Sequence, residues 1–230
     1  MHGVKNMRPK TKKIEIDRAE IIRFMGYREK KPDYNMMEMI DECEDELQRA
    51  IMPSFTFRIL GITMVKEGIQ VVDTPLILPG ADIARHLEGC HRCALFAATL
   101  SVGADKLIKS LETTDLTRAY LTDAIAGAAV EALCEEAEHE ISYRARSFRT
   151  WRYSPGYGDF PLDIQPMFLD VLNAHKLLGI TVGENNIMIP RKSVTAVIGL
   201  SDRSIDMARQ GCHRNCDNCR LRYKCYYSRD

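Results

Sequence analysis

The sequence of 230 residues lacks an excess of charge of either sign, and it lacks any long hydrophobic run. Lysine and arginine together number 32, as do aspartate and glutamate, which excludes nucleic-acid binding driven by bulk positive charge. No apolar stretch approaches the roughly 20 residues of a membrane helix. No signal-peptide stretch follows the basic segment 1–13, which we expect to be a flexible arm. The composition, 45% hydrophobic and 28% charged, predicts a soluble cytoplasmic protein with a packed core and no membrane partner.

Cysteine is abundant, with eight residues, and most of them are clustered. Clustered cysteines in a reducing cytosol indicate metal binding or redox chemistry more often than disulfides. Cys43 and Cys134 lie alone in helix-like stretches, and we expect them in the core. Cys90 and Cys93 are either small buried residues at the entry of a strand or residues that bind metal or relay redox. The other four lie in segment 206–230, as Cys212, Cys216, Cys219 and Cys225.

The spacing Cys-x3-Cys-x2-Cys-x5-Cys in segment 206–230 supplies four thiolates, enough for a tetrahedral zinc site or an iron–sulfur cluster. We predict a metal-binding tail and slightly favour iron–sulfur over zinc. The first three cysteines match the spacing of radical S-adenosylmethionine enzymes. We reject that interpretation, because in those enzymes the motif is followed by a whole barrel. Basic and aromatic residues among the cysteines also fit a zinc-based nucleic-acid element, which is the weaker interpretation.

Hydrophobic periodicity and turn residues predict a mixture of helices and strands. The longest helix is predicted over 116–146, rich in alanine in its first half and in glutamate in its second. The apolar run 94–100 is predicted as a buried strand because glycines flank it, although periodicity alone also allows a helix. Since helices and strands do not alternate, the predicted fold class is α+β. The remaining predictions are helices over 17–25, 33–52, 80–87, 104–111 and 163–178, a hairpin or strand pair over 55–72, and strands over 180–182, 187–189 and 193–200.

The segment 151–161 holds two prolines and two glycines and cannot form a regular element. Arg152 offers a planar fork that suits a carboxylate, and Tyr157 offers a flat wall with a polar tip. Gly156 and Gly158 are expected to expose backbone N–H groups. Such a loop between two helices could cradle a small zwitterion. On this pattern alone, a connection braced by arginine and tyrosine against the core is the simpler interpretation.

The order of motifs around this loop resembles the reactivation domain of cobalamin-dependent methionine synthase. Arg152, Gly156 and Tyr157 form the motif Arg-x-x-x-Gly-Tyr ahead of a predicted helix. The resemblance covers 87–200, and we assign 14–205 to one reactivation-like domain that occurs here as a stand-alone protein. The other matching features are Ala97-Ala98-Thr99-Leu100, Ala104-Asp105, the long helix, Pro161, Asp163, Pro190 and Ser193-Val194-Thr195.

The resemblance implies a twisted antiparallel sheet flanked by helices, followed here by the cysteine-rich C-terminal tail, with a shallow groove that binds S-adenosylmethionine. It also implies a methyltransferase component in methionine biosynthesis. Such a domain rescues cobalamin from the inactive Co(II) state, using an electron and the methyl group of S-adenosylmethionine. No side chain needs to act as an acid or base, since the leaving group is a neutral thioether and the nucleophile is Co(I). Catalytic residues are therefore not assigned.

The resemblance further implies which residues contact S-adenosylmethionine. Arg152 pairs with the carboxylate of the methionyl group, and Tyr157 lines the ligand. A glutamate of the long helix meets the ammonium or neighbouring polar groups, with Glu131 as the best match and Glu135 as its rival. Backbone contacts are expected from Ser154, Pro155 and Gly156.

The chain lacks the Asp-x-His-x-x-Gly fingerprint with which cobalamin-binding modules ligate cobalt. We therefore expect the cobalamin on a separate corrinoid-dependent methionine synthase, or a related methyltransferase, that lacks its own activation domain. A flavodoxin- or ferredoxin-type donor would supply the electron, and an iron–sulfur tail could deliver or mediate it. The alternative is a non-catalytic module that docks on a corrinoid protein and holds one conformation, with a structural zinc tail.

We predict that protein purified without oxygen carries iron and sulfide on its tail. Replacing the four tail cysteines together with serine should abolish this binding, because thiolates are the soft ligands of the proposed cluster. Metal analysis and the visible absorption spectrum measure both quantities. Zinc without iron would contradict the iron–sulfur prediction, and unchanged metal content in the four-serine variant would contradict the tail as the site.

Overall fold

The structure, a computed structural model, describes Met7 and residues 13–27 and 32–204. Segment 206–230, with Cys212, Cys216, Cys219 and Cys225, lies outside the described residues, and so does most of the basic arm. Met7 is paired with Phe55 through two backbone hydrogen bonds of 2.8 Å. The basic arm over 1–13 therefore contacts β-sheet residue Phe55 at Met7, and its flexibility stays a prediction.

The described residues form a six-stranded sheet in which every neighbouring pair is antiparallel, as predicted. The strands are β1 (Ser54–Val65), β2 (Gly68–Val71), β3 (Ile77–Leu78), β4 (Arg92–Thr99), β5 (Phe148–Arg149), β6 (Thr181–Val182), β7 (Met188–Ile189) and β8 (Ser193–Ser201). The strand order of the sheet is β3-β2-β1-β4-β8-β5. The short strands β6 and β7 pair with each other in a separate antiparallel ribbon.

Helices cover both faces of the sheet and enclose two apolar cores. The helices are α1 (Arg18–Phe24), α2 (Tyr34–Ala50), α3 (Ala81–His86), α4 (Val102–Glu112), α5 (Leu116–Ala145), α6 (Gln165–Leu172) and α7 (Ala174–Leu178). The first core lies between the sheet and helices α1, α2, α4 and α5, and the second between the sheet and α3, α6 and α7. Within the described residues, no helix is both long and apolar enough to cross a membrane.

The central strand β4 explains the apolar run of the sequence. Successive side chains of a strand point to opposite faces of its sheet. Phe96 packs in the first core and its neighbour Leu95 in the second, and both are fully buried. A strand covered on both faces favours apolar residues at successive positions, which explains the run. The predicted strand over 94–100 is confirmed, with β4 ending at Thr99.

The prediction of one continuous helix over 163–178 is wrong. A 3₁₀ turn over Leu162–Ile164 precedes α6, and Asn173 separates α6 from α7 with a left-handed φ of 53°. Asparagine adopts this conformation more readily than most residues, so it can end a helix without a glycine. The predicted hairpin over 55–72 is confirmed as β1 and β2, whereas the short strand β3 was not predicted.

Gly103 allows α4 to begin directly against the end of α2. A Cβ at this position would lie 1.8 Å from the carbonyl oxygen of Ala50. Since a backbone atom cannot rotate aside, Gly103→Ala should push the two helices apart and lower the free energy of unfolding by about 1–3 kcal/mol. Urea denaturation followed by circular dichroism measures this. Gly61→Ala is the control, because its Cβ would lie 3.4 Å from Val72, an ordinary contact. Equal unfolding midpoints for the two variants would contradict the prediction.

Candidate functional site

The candidate site begins at the edge of the sheet, where the chain that follows α5 runs along β8. Arg149 of β5 opposes Leu200. Tyr153, four residues after Arg149, opposes Val197, which lies only three residues from Leu200 on β8. The edge segment therefore contains one extra residue, a β-bulge. Leu200 belongs to the first core and Val197 to the second, so the bulge places Arg149 and Arg152 on the same face, toward α5.

Thr150 holds this bulge in place. The N–H of Gly199 donates to the Thr150 hydroxyl at 2.8 Å, where a regular ladder would use the Thr150 carbonyl. That carbonyl accepts from Nη1 of Arg149 at 3.4 Å. The hydroxyl also lies 2.9 Å from Nε2 of His86, and burial lowers the pKa of this histidine to about 4. A buried network around a neutral imidazole thus fixes the bulge.

Two arginines and two glutamates meet on the α5 side of the bulge, and we call Arg149, Arg152, Glu131 and Glu138 the Arg–Glu cluster. Arg152 donates from Nη1 to Glu138 and from Nη2 to Glu131. Arg149 donates from Nη1 to the second oxygen of Glu138 at 2.6 Å. The side chains of Arg152 and Glu138 are 13% and 11% exposed, against 36% for Glu131. The Arg149 side chain is 31% exposed. The cluster is therefore a charge-balanced group with a buried pair, Arg152 and Glu138, and two partly exposed members, Arg149 and Glu131.

The two glutamates share one face of α5, because residues three, four and seven apart lie on the same side of a helix. Cys134 lies between them and is fully buried; burial raises its pKa, so it stays an uncharged thiol at neutral pH. Burial by itself would lower the pKa of Arg152. The carboxylates of Glu131 and Glu138 outweigh this effect and raise that pKa overall, so the guanidinium stays charged.

The loop after the bulge is closed by its own backbone. The N–H of Tyr157 donates to the carbonyl of Ser154 at 3.2 Å, and the N–H of Gly156 donates to the carbonyl of Phe160 at 2.7 Å. The prediction that Gly156 exposes its N–H is therefore wrong. Gly156 serves the turn instead, because its φ of 94° would strain any other residue.

Asp159 ties this loop to the start of α3. Its carboxylate accepts from the N–H groups of Ala81 at 2.7 Å and Asp82 at 2.9 Å. The Asp82 carboxylate accepts from the N–H of Asp159 at 3.3 Å in return. These bonds lower the pKa of Asp159 and hold the loop against the second face of the sheet.

Arg152 and Tyr157 lie on opposite sides of the sheet edge. Tyr157 is exposed and packs edge-on against Tyr153, with 5.9 Å between ring centroids. Tyr153 uses both its N–H and its carbonyl on Val197, at 2.9 Å each. In an antiparallel ladder the backbone of the flanking residues, including Ser154, then points away from the partner strand. A ligand that contacts both Arg152 and Tyr157 would therefore cross the edge along this backbone and the buried Pro155.

The structure brings together part of the predicted site. Arg152 and Glu131 are in direct contact, whereas Glu135 is exposed and no hydrogen bond or ion pair joins it to Arg152 in the described part of the chain. Sequence reasoning missed Glu138 and Arg149. The seven-residue spacing from Glu131 could have indicated Glu138, but Arg149 depends on the bulge, which has no local signal. That these residues bind S-adenosylmethionine stays a prediction.

Cys90 and Cys93 support the packing of this region. Cys93 is fully buried and Cys90 half-buried, and burial raises the pKa of Cys90 to about 11 and that of Cys93 to about 12. Both therefore remain protonated thiols at neutral pH in the metal-free protein, which disfavours nucleophilic chemistry. Across Met7, 13–27 and 32–204, no group of three histidines, cysteines or acids could hold a metal ion.

Comparison with solved structures gives the same architecture. The chain is similar to a crystal structure of the MetH reactivation domain bound to AdoHcy, with a TM-score of 0.66 and 17% sequence identity. The similarity covers 88% of this chain and 80% of that chain. No protein-family model and no curated protein matches the sequence. The fold is thus the one that the resemblance predicted.

We predict that the bulge depends on the Thr150 hydroxyl. Thr150→Val should leave the N–H of Gly199 and the His86 imidazole without this partner, and lower the free energy of unfolding by about 1–3 kcal/mol. Chemical denaturation measures the loss. Thr150→Ser keeps the hydroxyl and serves as the control, with a clearly smaller loss. A threonine-to-serine change as harmful as the change to valine would show that the methyl group, not the hydroxyl, is what matters.

Proposed function

We propose that this chain binds S-adenosylmethionine at the Arg–Glu cluster and supports the reductive remethylation of cobalamin held by a separate corrinoid protein. The observation that carries the proposal is the direct contact between Arg152 and Glu131 at the sheet edge, in a chain with the fold of the MetH reactivation domain. The fold alone does not specify a ligand. The residues at the cluster supply that argument.

An arginine and a glutamate in contact are complementary to the headgroup of an amino acid. The planar guanidinium of Arg152 can bind a carboxylate through two parallel N–H groups. Glu131 can accept from an ammonium group. Because the two side chains already neutralise each other, a zwitterion can enter between them without leaving either charge unpaired.

The surroundings favour an elongated ligand over a free amino acid. From Arg152 the backbone leads past the half-buried Ser154 and the buried Pro155 to the exposed ring of Tyr157. An adenosine group attached to the methionyl headgroup would follow this path, with backbone groups as hydrogen-bond partners and Tyr157 as a flat apolar wall. The proposed ligand contacts are therefore the ones that the resemblance implies, at Arg152, Ser154, Pro155, Gly156 and Tyr157. The Gly156 N–H is already bonded to Phe160, so the backbone contacts would come from carbonyl groups.

The proposed reaction asks little of the protein beyond positioning. One electron from a flavodoxin- or ferredoxin-type donor, delivered directly or through the cysteine tail, reduces Co(II) to Co(I). The Co(I) electron pair attacks the methyl carbon, the carbon–sulfur bond breaks, and S-adenosylhomocysteine leaves as a neutral thioether. Orientation and exclusion of water then provide most of the catalytic effect. This accounts for a site made of ion pairs and backbone, without an acid–base pair.

A single-turnover experiment tests the proposal. The protein is mixed with a Co(II) corrinoid protein, a reductant and methyl-labelled S-adenosylmethionine, and label on cobalt is measured. We expect transfer with the wild type. If the protein binds S-adenosylmethionine but transfers no label, it is a binding module without the proposed activity. If it neither binds S-adenosylmethionine nor transfers label, the alternative of a docking module is favoured.

Arg152→Ala should weaken S-adenosylmethionine binding by about 2 kcal/mol, roughly 30-fold, because it removes one partner of a desolvated charge pair. Arg152→Lys keeps the charge and the fold but loses the bidentate geometry, and it should show an intermediate loss. Calorimetry measures both affinities. Wild-type affinity in Arg152→Ala would remove Arg152 from the binding site.

A further inference from the structure

We infer that Glu138 is the positioning residue of this site, an inference that rests on the proposed function. Glu138 holds the Arg152 guanidinium in place, and Glu131 is the carboxylate that yields its position to the carboxylate of the ligand. The two glutamates of the Arg–Glu cluster therefore have different tasks. Their contacts and exposures distinguish them.

Glu138 is held from two sides and Glu131 from one. The two oxygens of Glu138 accept from different arginines, Oε1 from Arg152 and Oε2 from Arg149. Among the described residues, Glu131 is joined by an ion pair to Arg152 alone. The Glu131 side chain is 36% exposed, three times the value for Glu138. Glu131 can therefore move toward solvent, whereas Glu138 cannot leave without breaking a second ion pair.

Arg149 connects Glu138 to the backbone of the bulge. Its Nη1 donates to Glu138 at 2.6 Å and also lies 3.4 Å from the carbonyl of Thr150. Thr150 is itself fixed by Gly199. The position of Arg152 is thus set through a chain of contacts that begins at the sheet ladder and passes through Arg149 and Glu138.

The charge balance indicates which glutamate exchanges. When a zwitterionic headgroup enters, its carboxylate takes the place of Glu131 on Arg152, and its ammonium pairs with the displaced Glu131. Every charge then has a partner before and after binding. If Glu138 were displaced instead, its ion pair with Arg149 would break as well, and Arg149 would be left without a carboxylate partner among the described residues.

The test compares two ligands that differ in the headgroup. S-adenosylhomocysteine carries the zwitterion, and methylthioadenosine lacks it. In Glu138→Gln the neutral amide no longer fixes Arg152, so we expect the affinity for S-adenosylhomocysteine to fall about tenfold. The affinity for methylthioadenosine should stay within about twofold of wild type. Calorimetry on the full chain measures all four dissociation constants.

Two further variants complete the experiment. Glu136→Gln removes the same charge from α5, and Glu136 makes no hydrogen bond or ion pair within the described part of the chain, so both ligands should bind it as they bind wild type. Arg149→Lys keeps the positive charge but replaces the planar guanidinium, which can donate in two directions, with a single ammonium group. It should therefore weaken S-adenosylhomocysteine selectively and by less than Glu138→Gln.

The outcomes separate the inference from the proposed function. If wild type binds neither ligand, the proposed function fails, and the inference fails with it. If wild type binds S-adenosylhomocysteine and both Glu138→Gln and Arg149→Lys bind it equally well, the inference alone is overturned. A parallel loss of both ligands would also overturn it, because it would show a general structural defect. A loss confined to S-adenosylhomocysteine supports it.

Discussion

One extra residue in the edge segment along β8 determines the chemistry of this region. In a regular strand Arg149 and Arg152 would point to opposite faces of the sheet, because they are three residues apart and successive side chains alternate between the two faces. The bulge reverses the alternation between them. Both guanidinium groups then reach α5, where Glu131 and Glu138 are available. Without the bulge only one of the two arginines would face α5, and Glu131 and Glu138 would share a single cation.

Because the cluster is already paired, ligand binding would be an exchange of partners and not the filling of an empty site. Exchange limits affinity, since the pair between Arg152 and Glu131 must open before the new contacts form. It favours specificity, since a ligand with a carboxylate alone would leave Glu131 unpaired, and one with an ammonium alone would leave Arg152 unpaired. A zwitterion avoids both penalties. The same pairing keeps the region ordered without ligand, which reduces the entropic cost of binding.

The elements with strong local signals could be predicted from the sequence, and those set by long-range pairing could not. Glycines around the run 94–100 identify β4, and the length of 116–146 identifies α5. The break at Asn173 interrupts a continuous apolar periodicity, so a helix over 163–178 is the natural prediction there. The family resemblance selected Arg152 and Glu131 as contacts of one ligand, but it did not predict their direct contact with each other. Arg149 and Glu138 could not be found in this way, because their proximity depends on Thr150 meeting Gly199, 49 residues away.

Gly199 explains why the Cys-x2-Cys pair belongs to the same structural unit as the arginines. A Cβ on Gly199 would lie 2.6 Å from the Cys90 sulfur and 2.9 Å from the Thr150 methyl group, so those two groups converge where a side chain is missing. Cys93 is the residue of β4 that pairs with Gly199. A small, apolar, uncharged side chain is what this space accepts, and a protonated thiol meets that requirement. The motif that suggests metal or redox chemistry in the sequence thus supports the strand pairing on which the bulge, and through it Arg152, depends.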